Sequence, residues 1–97
     1  MSVFILLGKK YDTDKMEFIS KVKKHYKHIV WSAIFNEDRY LEYTCKLYRS
    51  KNNNFLLTRE DSACIYGEAI TEYEAKRLLM RFNYKKYEEL FGEIEEA

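Results

Sequence analysis

The sequence predicts a small α+β domain, and three patterns support this class. Residues 40–61 alternate apolar and polar side chains on both sides of an Asn-rich segment, as expected for a β-hairpin. Apolar residues recur at helical spacing in residues 16–26 and again in residues 75–94. The 97 residues include no proline and only three glycines, so no linker divides them. We therefore expect a single domain spanning residues 1–97.

The central hairpin is the clearest element. Every second residue of its first arm falls on one mostly apolar face, which we expect to pack on a core. That face consists of Leu41, Tyr43, Cys45, Leu47 and Arg49. Residues 50–54 tolerate positive φ and suit a four- or five-residue loop, and residues 55–60 form the return arm.

The N-terminal part is predicted as a strand followed by a helix. The apolar run Val3–Leu7 indicates a strand buried on both faces, and Gly8–Thr13 a turn. Met16, Ile19, Val22 and Tyr26 indicate an amphipathic helix with lysines on its other side. The β-branched and aromatic residues in 28–35 favour a strand, although a continuation of the first helix fits the same spacing.

The C-terminal part is predicted as a connection and two helices. Residues 62–68 form the connection, and Thr71 with Glu74 has the spacing of a capping box at a helix start. Asn83 ends or kinks this helix, and a last helix from Tyr84 carries the acidic end of the chain. The predicted order is β-α-β-β-β-α-α, with an antiparallel sheet of three or four strands covered on one face by one N-terminal and two C-terminal helices.

Charge and cysteine content constrain the compartment and the partners. Residues 1–51 hold eleven Lys or Arg and six Asp or Glu, whereas residues 52–97 hold six and ten. Such asymmetry suits a basic surface for nucleic acid or an acidic one for a basic partner, and ordinary solvated faces also produce it. The two cysteines, outside any CxxC motif, indicate free thiols and a reducing cytoplasm. The run Val3–Leu7 is too short for a membrane span, so we expect a cytoplasmic protein without a membrane partner.

The sequence contains no motif that predicts catalysis, a metal or a cofactor. The four residues that could bind zinc are His25, His28, Cys45 and Cys64, and their spacing matches no common finger or ribbon. A glycine-rich phosphate loop and a nucleophile elbow are absent as well. We therefore expect a protein that is not an enzyme and needs no cofactor.

Three short segments resemble one group of proteins. They are Leu47-Tyr48-Arg49-Ser50-Lys51-Asn52, Asn54-Phe55-Leu56 and Thr71-Glu72-Tyr73-Glu74-Ala75-Lys76. In this order they resemble small accessory proteins of phages and mobile elements from low-GC Gram-positive bacteria. The resemblance implies an accessory role, in a class that includes inhibitors of bacterial defence such as anti-CRISPR proteins.

These observations predict a non-catalytic protein that binds a host protein or a nucleoprotein complex, such as a CRISPR effector. The candidate contacts form two sets. One set consists of aromatic and basic side chains at the hairpin. The other consists of glutamates near the C-terminus that could mimic nucleic acid. These residues are Arg39, Tyr40, Tyr48, Arg49, Lys51, Glu88, Glu89 and Glu93. The alternative is non-specific nucleic-acid binding by the lysine-rich helix through Lys21, Lys23, Lys24 and Lys27. A homodimer along the hairpin edge is compatible with either function.

Overall fold

The computed structural model describes residues 2–31, 36–61 and 64–97, with the side chains of residues 2–26, 41–60 and 64–97. The strands are β1 (Val3–Leu6), β2 (Lys9–Asp12), β3 (Glu17–Trp31), β4 (Asn36–Arg49), β5 (Phe55–Asp61) and β6 (Cys64–Ile70). The helices are α1 (Glu72–Phe82) and α2 (Tyr84–Phe91), and a single 3-10 turn, Thr13–Lys15, joins β2 to β3. The predicted α+β class is confirmed, and the described residues contain two helices instead of the predicted three.

The strands form two antiparallel sheets. β1 and β2 make a small hairpin, and the larger sheet has the order β3-β4-β5-β6, in which each strand pairs with the next along the chain. β5 pairs with β4 only from Lys46↔Thr58 to Arg49↔Phe55, whereas β3 follows β4 along its whole length, to Trp31↔Asn36. β3 and β4 therefore extend as a two-stranded ribbon. The longest dimension of the molecule, 51 Å, matches the roughly 50 Å expected for a 15-residue strand.

The predicted central hairpin is confirmed as β4 and β5. Its loop closes by two backbone hydrogen bonds, one from the amide of Ser50 to the carbonyl of Asn54 (2.9 Å) and one from Asn53 to Ser50 (3.0 Å). Asn53 has a φ of +60°, a conformation that asparagine tolerates better than most residues. The turn residues noted in the sequence therefore do what their chemistry predicts.

The predicted N-terminal helix is wrong, because residues 17–31 form strand β3. A β-bulge shifts the register between Phe18 and Ser20, so that Ile19 and Val22 are both buried although they are three residues apart. The bulge thus gives two buried residues of a strand the three-residue spacing that is typical of a helix. After it, Val22 and Lys24 lie on one face and Lys21 and Lys23 on the other. Among the described residues β4 is the only strand paired with β3, and lysines are common on such edge strands because they discourage aggregation.

The predicted turn at Gly8–Thr13 is also wrong beyond its first residue. Lys9–Asp12 is strand β2, joined to β1 by a two-residue turn at Leu7 and Gly8, whose φ values are +52° and +75°. Positive φ at both positions is the type I′ pattern of tight hairpins. β1 exists as predicted, but it is not buried on both faces, since Val3 and Ile5 are exposed.

The predicted connection at residues 62–68 is wrong from Cys64 onward, where strand β6 begins. The segment contains the strand formers Ile65, Tyr66 and Ile70, and Gly67 marks a close approach instead of a loop. A Cβ atom at Gly67 would lie 2.6 Å from two ring carbons of Phe4. The ring of Phe4 therefore packs directly on the backbone of β6 and holds the β1–β2 hairpin against the sheet.

Both C-terminal helices are confirmed, as is the hydroxyl half of the predicted capping box, while the carboxylate of Glu74 accepts a hydrogen bond from Lys24 instead. The Thr71 hydroxyl accepts a hydrogen bond from the amide of Glu74 (3.1 Å), as expected of an N-cap residue. Asn83 ends α1, and its side chain caps α2 by accepting from the amide of Lys86 (3.2 Å). α2 ends at Phe91, with Gly92 at a φ of +105°, so Glu93 lies beyond the helix instead of in it.

The helices cover one face of the large sheet, here called the inner face. Its core includes Val22, Cys45, Leu47, Phe55 and Leu57 from the strands, together with Ala75 and Leu79 from α1. The opposite side, called the outer face, carries Lys21, Lys46, Thr58 and Gly67 in one cross-strand row. The predicted core face of the hairpin is thus confirmed at Cys45 and Leu47, while Leu41 is exposed. Residues 28–31 belong to β3, in line with the preferred strand prediction, and 32–35 lie outside the described residues.

Candidate binding surfaces

The described structure divides the predicted lysine surface between two faces. Lys21 and Lys23 point to the outer face, whereas the ammonium group of Lys24, on the inner face, donates hydrogen bonds to Glu68 (2.5 Å) and Glu74 (2.9 Å). Burial alone would lower the pKa of Lys24, but these two carboxylates outweigh it and raise the pKa. Lys24 therefore ties β3 to β6 and α1. The side chain of Lys27 lies outside the described residues.

An aromatic cluster surrounds Arg59 on the inner face. The guanidinium carbon lies 4.0 Å from the ring centre of Tyr26, 4.6 Å from that of Tyr66 and 5.4 Å from that of Tyr43. Such contacts stabilise a guanidinium that is partly removed from water. The hydroxyl of Tyr26 also donates to Glu68 (3.4 Å). These side chains hold β3, β5 and β6 together, so this cluster is a structural feature and not a vacant site.

The titratable side chains of the inner face lead us to expect a loss of stability at alkaline pH. Burial, the nearby Cys45 and Glu68 raise the pKa of Tyr26 above its usual 10.0, and burial raises the pKa of Cys45 above 9.0. The raised pKa of Lys24 acts in the same direction, because the folded state binds the proton more tightly than the unfolded state in all three cases. Stability should be complete below the unfolded-state pKa values and fall as pH rises above about 9. Urea midpoints measured between pH 7 and 11 should show this decline.

The matched control for the alkaline decline is a second tyrosine. Tyr26→Phe removes one contributing group and should make the decline shallower, whereas Tyr73→Phe, at a 71% exposed position, should leave its slope unchanged. Equal slopes in the wild type and the Tyr26→Phe variant would contradict the assignment.

A cleft of about 500 Å³ lies on the outer face, between the large sheet and the N-terminal segments. Its sheet side is lined by Lys21, Lys46, Thr58 and Tyr48, and Ser2 and Thr13 line the other side. The amide of Thr13 donates to the carbonyl of Ser2 (3.0 Å), which fixes the two segments to each other. This half-open cleft combines cationic, acidic, hydroxyl and aromatic groups.

Next to the cleft, the charges are partly neutralised. Glu42 lies 3.8 Å from the ammonium nitrogen of Lys23 and 3.6 Å from a ring nitrogen of His25. The ammonium groups of Lys21 and Lys46, in contrast, form no ion pair or hydrogen bond with the described residues. The cleft therefore contains two ammonium groups without a described partner, and the carboxylates of Asp14 and Glu60 line it as well.

The N-terminal hairpin presents an apolar stripe, defined as Val3, Ile5 and Leu7. Their side chains are 43%, 69% and 89% exposed, while Phe4 packs inward on Gly67. Leu7 has a φ of +52°, a conformation that costs a residue other than glycine or asparagine about 1 kcal/mol or more. The stripe thus ends at a strained and almost fully exposed leucine.

The structure gives different environments to the hairpin residues predicted to bind a partner. Tyr48 is half-buried, with its ring centre 5.7 Å from that of Phe18, and Arg49 pairs with Glu17 (3.0 Å). Lys51 is exposed in the loop. The side chains of Arg39 and Tyr40 lie outside the described residues.

The predicted acidic surface is partly engaged within the chain. Glu88 accepts a hydrogen bond from the amide of Ile94 (3.0 Å), and Glu89 pairs with Lys86 (3.3 Å). Glu93 is exposed after the end of α2. Two of the three glutamates selected from the sequence therefore have local partners that stabilise the end of the helix.

Sequence reasoning missed the apolar stripe and the cleft. The run Val3–Leu7 is continuously apolar, so its pattern does not show that alternate side chains face solvent. The one available signal was Leu7-Gly8, because glycine after a short apolar run favours a tight turn. The cleft depends on pairing between β3 and β4. A helix at residues 16–26, as predicted from the sequence, cannot form this pairing.

Comparison of the chain with protein-family models, curated proteins and solved structures finds no match. Within the described ranges, no three His, Cys, Asp or Glu side chains are grouped so that they could hold a metal ion. No helix in the described part of the chain is long and apolar enough to cross a bilayer.

Proposed function

We propose that this chain is a non-catalytic binding protein that docks on a host protein or nucleoprotein complex through its N-terminal hairpin. The observation that carries the proposal is the apolar stripe, in which Leu7 is both strained and 89% exposed. A polar residue or glycine would serve the turn better and would avoid exposing a leucine to water. Burial of Leu7 in a partner would offset both costs.

The surroundings of the stripe favour a protein partner with an apolar pocket and an acidic rim. Lys9 and Lys10 follow the turn and are exposed, so the apolar stripe has basic neighbours. An anchor surrounded by polar residues is the usual organisation of a binding hot spot. The resemblance to phage and mobile-element accessory proteins supports a more specific role. In this role the chain inhibits a bacterial defence complex, such as a CRISPR effector.

Leu7→Asn provides a sharp test, because it should weaken binding without weakening the fold. Asparagine tolerates positive φ, so the free energy of unfolding should rise by about 1 kcal/mol. Loss of a buried anchor should lower affinity by about 30-fold, equivalent to about 2 kcal/mol. The wild type and the Leu7→Asn variant would each be tagged and used to recover partners from a Gram-positive lysate that contains an active CRISPR effector. The lysate would be treated with nuclease beforehand. Quantitative mass spectrometry would compare the recovered proteins.

Asn53→Gly is the matched control for this experiment. It changes another exposed turn residue with positive φ, and it should leave partner recovery unchanged. Equal recovery by the wild type and by Leu7→Asn would remove the stripe as the docking surface. Recovery that disappears after nuclease treatment would overturn a protein-directed interaction, and a dimer in size-exclusion chromatography that Leu7→Asn dissociates would make a second copy the occupant.

A further inference from the structure

We propose that the outer-face cleft binds a nucleotide, with the phosphate at Lys21 and Lys46 and the base against Tyr48, which lines the cleft, and against Phe18 beside it. This inference is independent of the proposed function, because it concerns different side chains from the apolar stripe. The ligand is either a free mononucleotide or one nucleotide of a single strand, since both present a phosphate beside a planar ring.

The phosphate position follows from the register of β3 and β4. Lys21 and Lys46 are directly opposite each other, which places their Cβ atoms about 5 Å apart on the same face. Like charges in this arrangement repel, and no described carboxylate pairs with either of them. A bound phosphate would replace this repulsion with two charge-assisted hydrogen bonds.

The same cross-strand row provides a neutral hydroxyl. Thr58 is opposite Lys46 on the next strand, and its side chain forms no hydrogen bond with the described residues. The row ends at Gly67, where the ring of Phe4 covers the backbone. Two ammonium groups and a hydroxyl therefore line one side of the cleft, and a hydrophobic ring closes the end of the row.

The base position follows from the adjacent row of the sheet. Phe18 is opposite Tyr48, their ring centres are 5.7 Å apart, and Phe18 remains 43% exposed. Aromatic side chains beside a basic surface are the usual platform for stacking single-stranded bases. A stacked base and a phosphate on the lysines would occupy neighbouring rows of one face.

The dimensions and charges of the cleft limit the ligand. Its volume of about 500 Å³ lies within the range typical of small-ligand pockets, and Asp14 and Glu60 also line it. Arg59 lines the cleft too, so three cationic and two acidic side chains leave it only a small net positive charge, which favours one phosphate over a polyphosphate. The two carboxylates can accept hydrogen bonds from a sugar or a base amine. The cleft therefore suits a monophosphate or a single phosphodiester better than a triphosphate.

Binding would be measured with AMP by isothermal titration calorimetry and with a fluorescein-labelled dT12 strand by anisotropy. Lys46→Gln should weaken binding by about tenfold, as expected for the loss of one charge-assisted hydrogen bond. For the strand, the double substitution Lys21→Gln and Lys46→Gln should reduce the slope of log K against log salt by about 0.7, because the two lysines share one phosphate and each neutralised phosphate of a single strand contributes about 0.7. Binding of AMP would identify a free-nucleotide site, and binding of the strand alone would identify a nucleic-acid groove.

Lys85→Gln is the matched control, since it removes one exposed positive charge in α2 and should not change either affinity. The melting temperature of the Lys46→Gln variant should not fall, because the substitution removes a repulsion. Leu7→Asn should retain full nucleotide binding, which separates this proposal from the proposed function. Absence of binding to both probes, or equal binding by the Lys46→Gln variant, would overturn the inference.

Discussion

Replacing Leu47 with alanine is expected to lower the free energy of unfolding by about 2–5 kcal/mol. Leu47 is fully buried in β4, where it is opposite Ser20 of β3 on one side and Leu57 of β5 on the other. Its side chain belongs to the core cluster that α1 covers through Ala75 and Leu79. The substitution would leave a cavity in the centre of the sheet, and urea denaturation at neutral pH would measure the loss.

Leu41→Ala is the control for this prediction, on the same strand and the same face. Leu41 is 42% exposed and lies in the part of β4 that β5 does not reach. We expect its substitution to cost less than about 1 kcal/mol, because little buried area is lost. Similar losses from the two variants would contradict the helix-covered core at Leu47.

The correct sequence predictions rest on local chemistry. Alternation in residues 41–49 and the asparagines of the loop predicted the central hairpin, and Thr71 with Glu74 predicted the start of α1. Each of these signals acts within a few residues, so the sequence contains the whole cause. The fold class follows from them, because a hairpin and two amphipathic helices must bury their apolar faces against each other.

The wrong predictions have non-local causes. β3 is a strand because β4 pairs with it along its length, and the bulge near Ile19 conceals its alternation. β6 is a strand because β5 pairs with it and because Gly67 admits the ring of Phe4. Neither partner is visible from the local pattern, which for Gly67 favours a loop.

The candidate sites were predictable only in part for the same reason. The sequence identifies Lys21 as a basic residue, but its neighbour Lys46 belongs to another strand and becomes relevant only once the register is known. Lys24 was placed with Lys21, whereas the structure turns it inward to Glu68 and Glu74. A binding surface on a sheet is defined by rows that cross the strands, and these rows do not appear as patterns along the chain.

The second large effect is expected at Gly67, where valine should destabilise the attachment of the N-terminal hairpin by about 1–3 kcal/mol. A Cβ atom would lie within 2.6–2.9 Å of three ring carbons of Phe4, so the whole ring would have to move. Displacement of Phe4 would carry β1 and β2 away from the sheet, opening the cleft while the core beneath the helices stays intact. Hydrogen exchange should then be faster in β1 and β2 and unchanged in α1.

A double-mutant cycle with Phe4→Ala shows whether the effect of Gly67→Val acts through this contact. With alanine at position 4 the valine side chain has room, so Gly67→Val should cost much less than it does in the wild type, with a coupling of about 1–2 kcal/mol. Additive losses would mean that valine disturbs β6 itself, for example through its pairing with β5. A double-mutant loss smaller than the sum of the two single losses would establish that Phe4 on Gly67 joins the N-terminal hairpin to the large sheet. Both proposed binding surfaces depend on that joint, because the hairpin positions Leu7 and is continuous with Ser2 and Thr13, which line one side of the cleft.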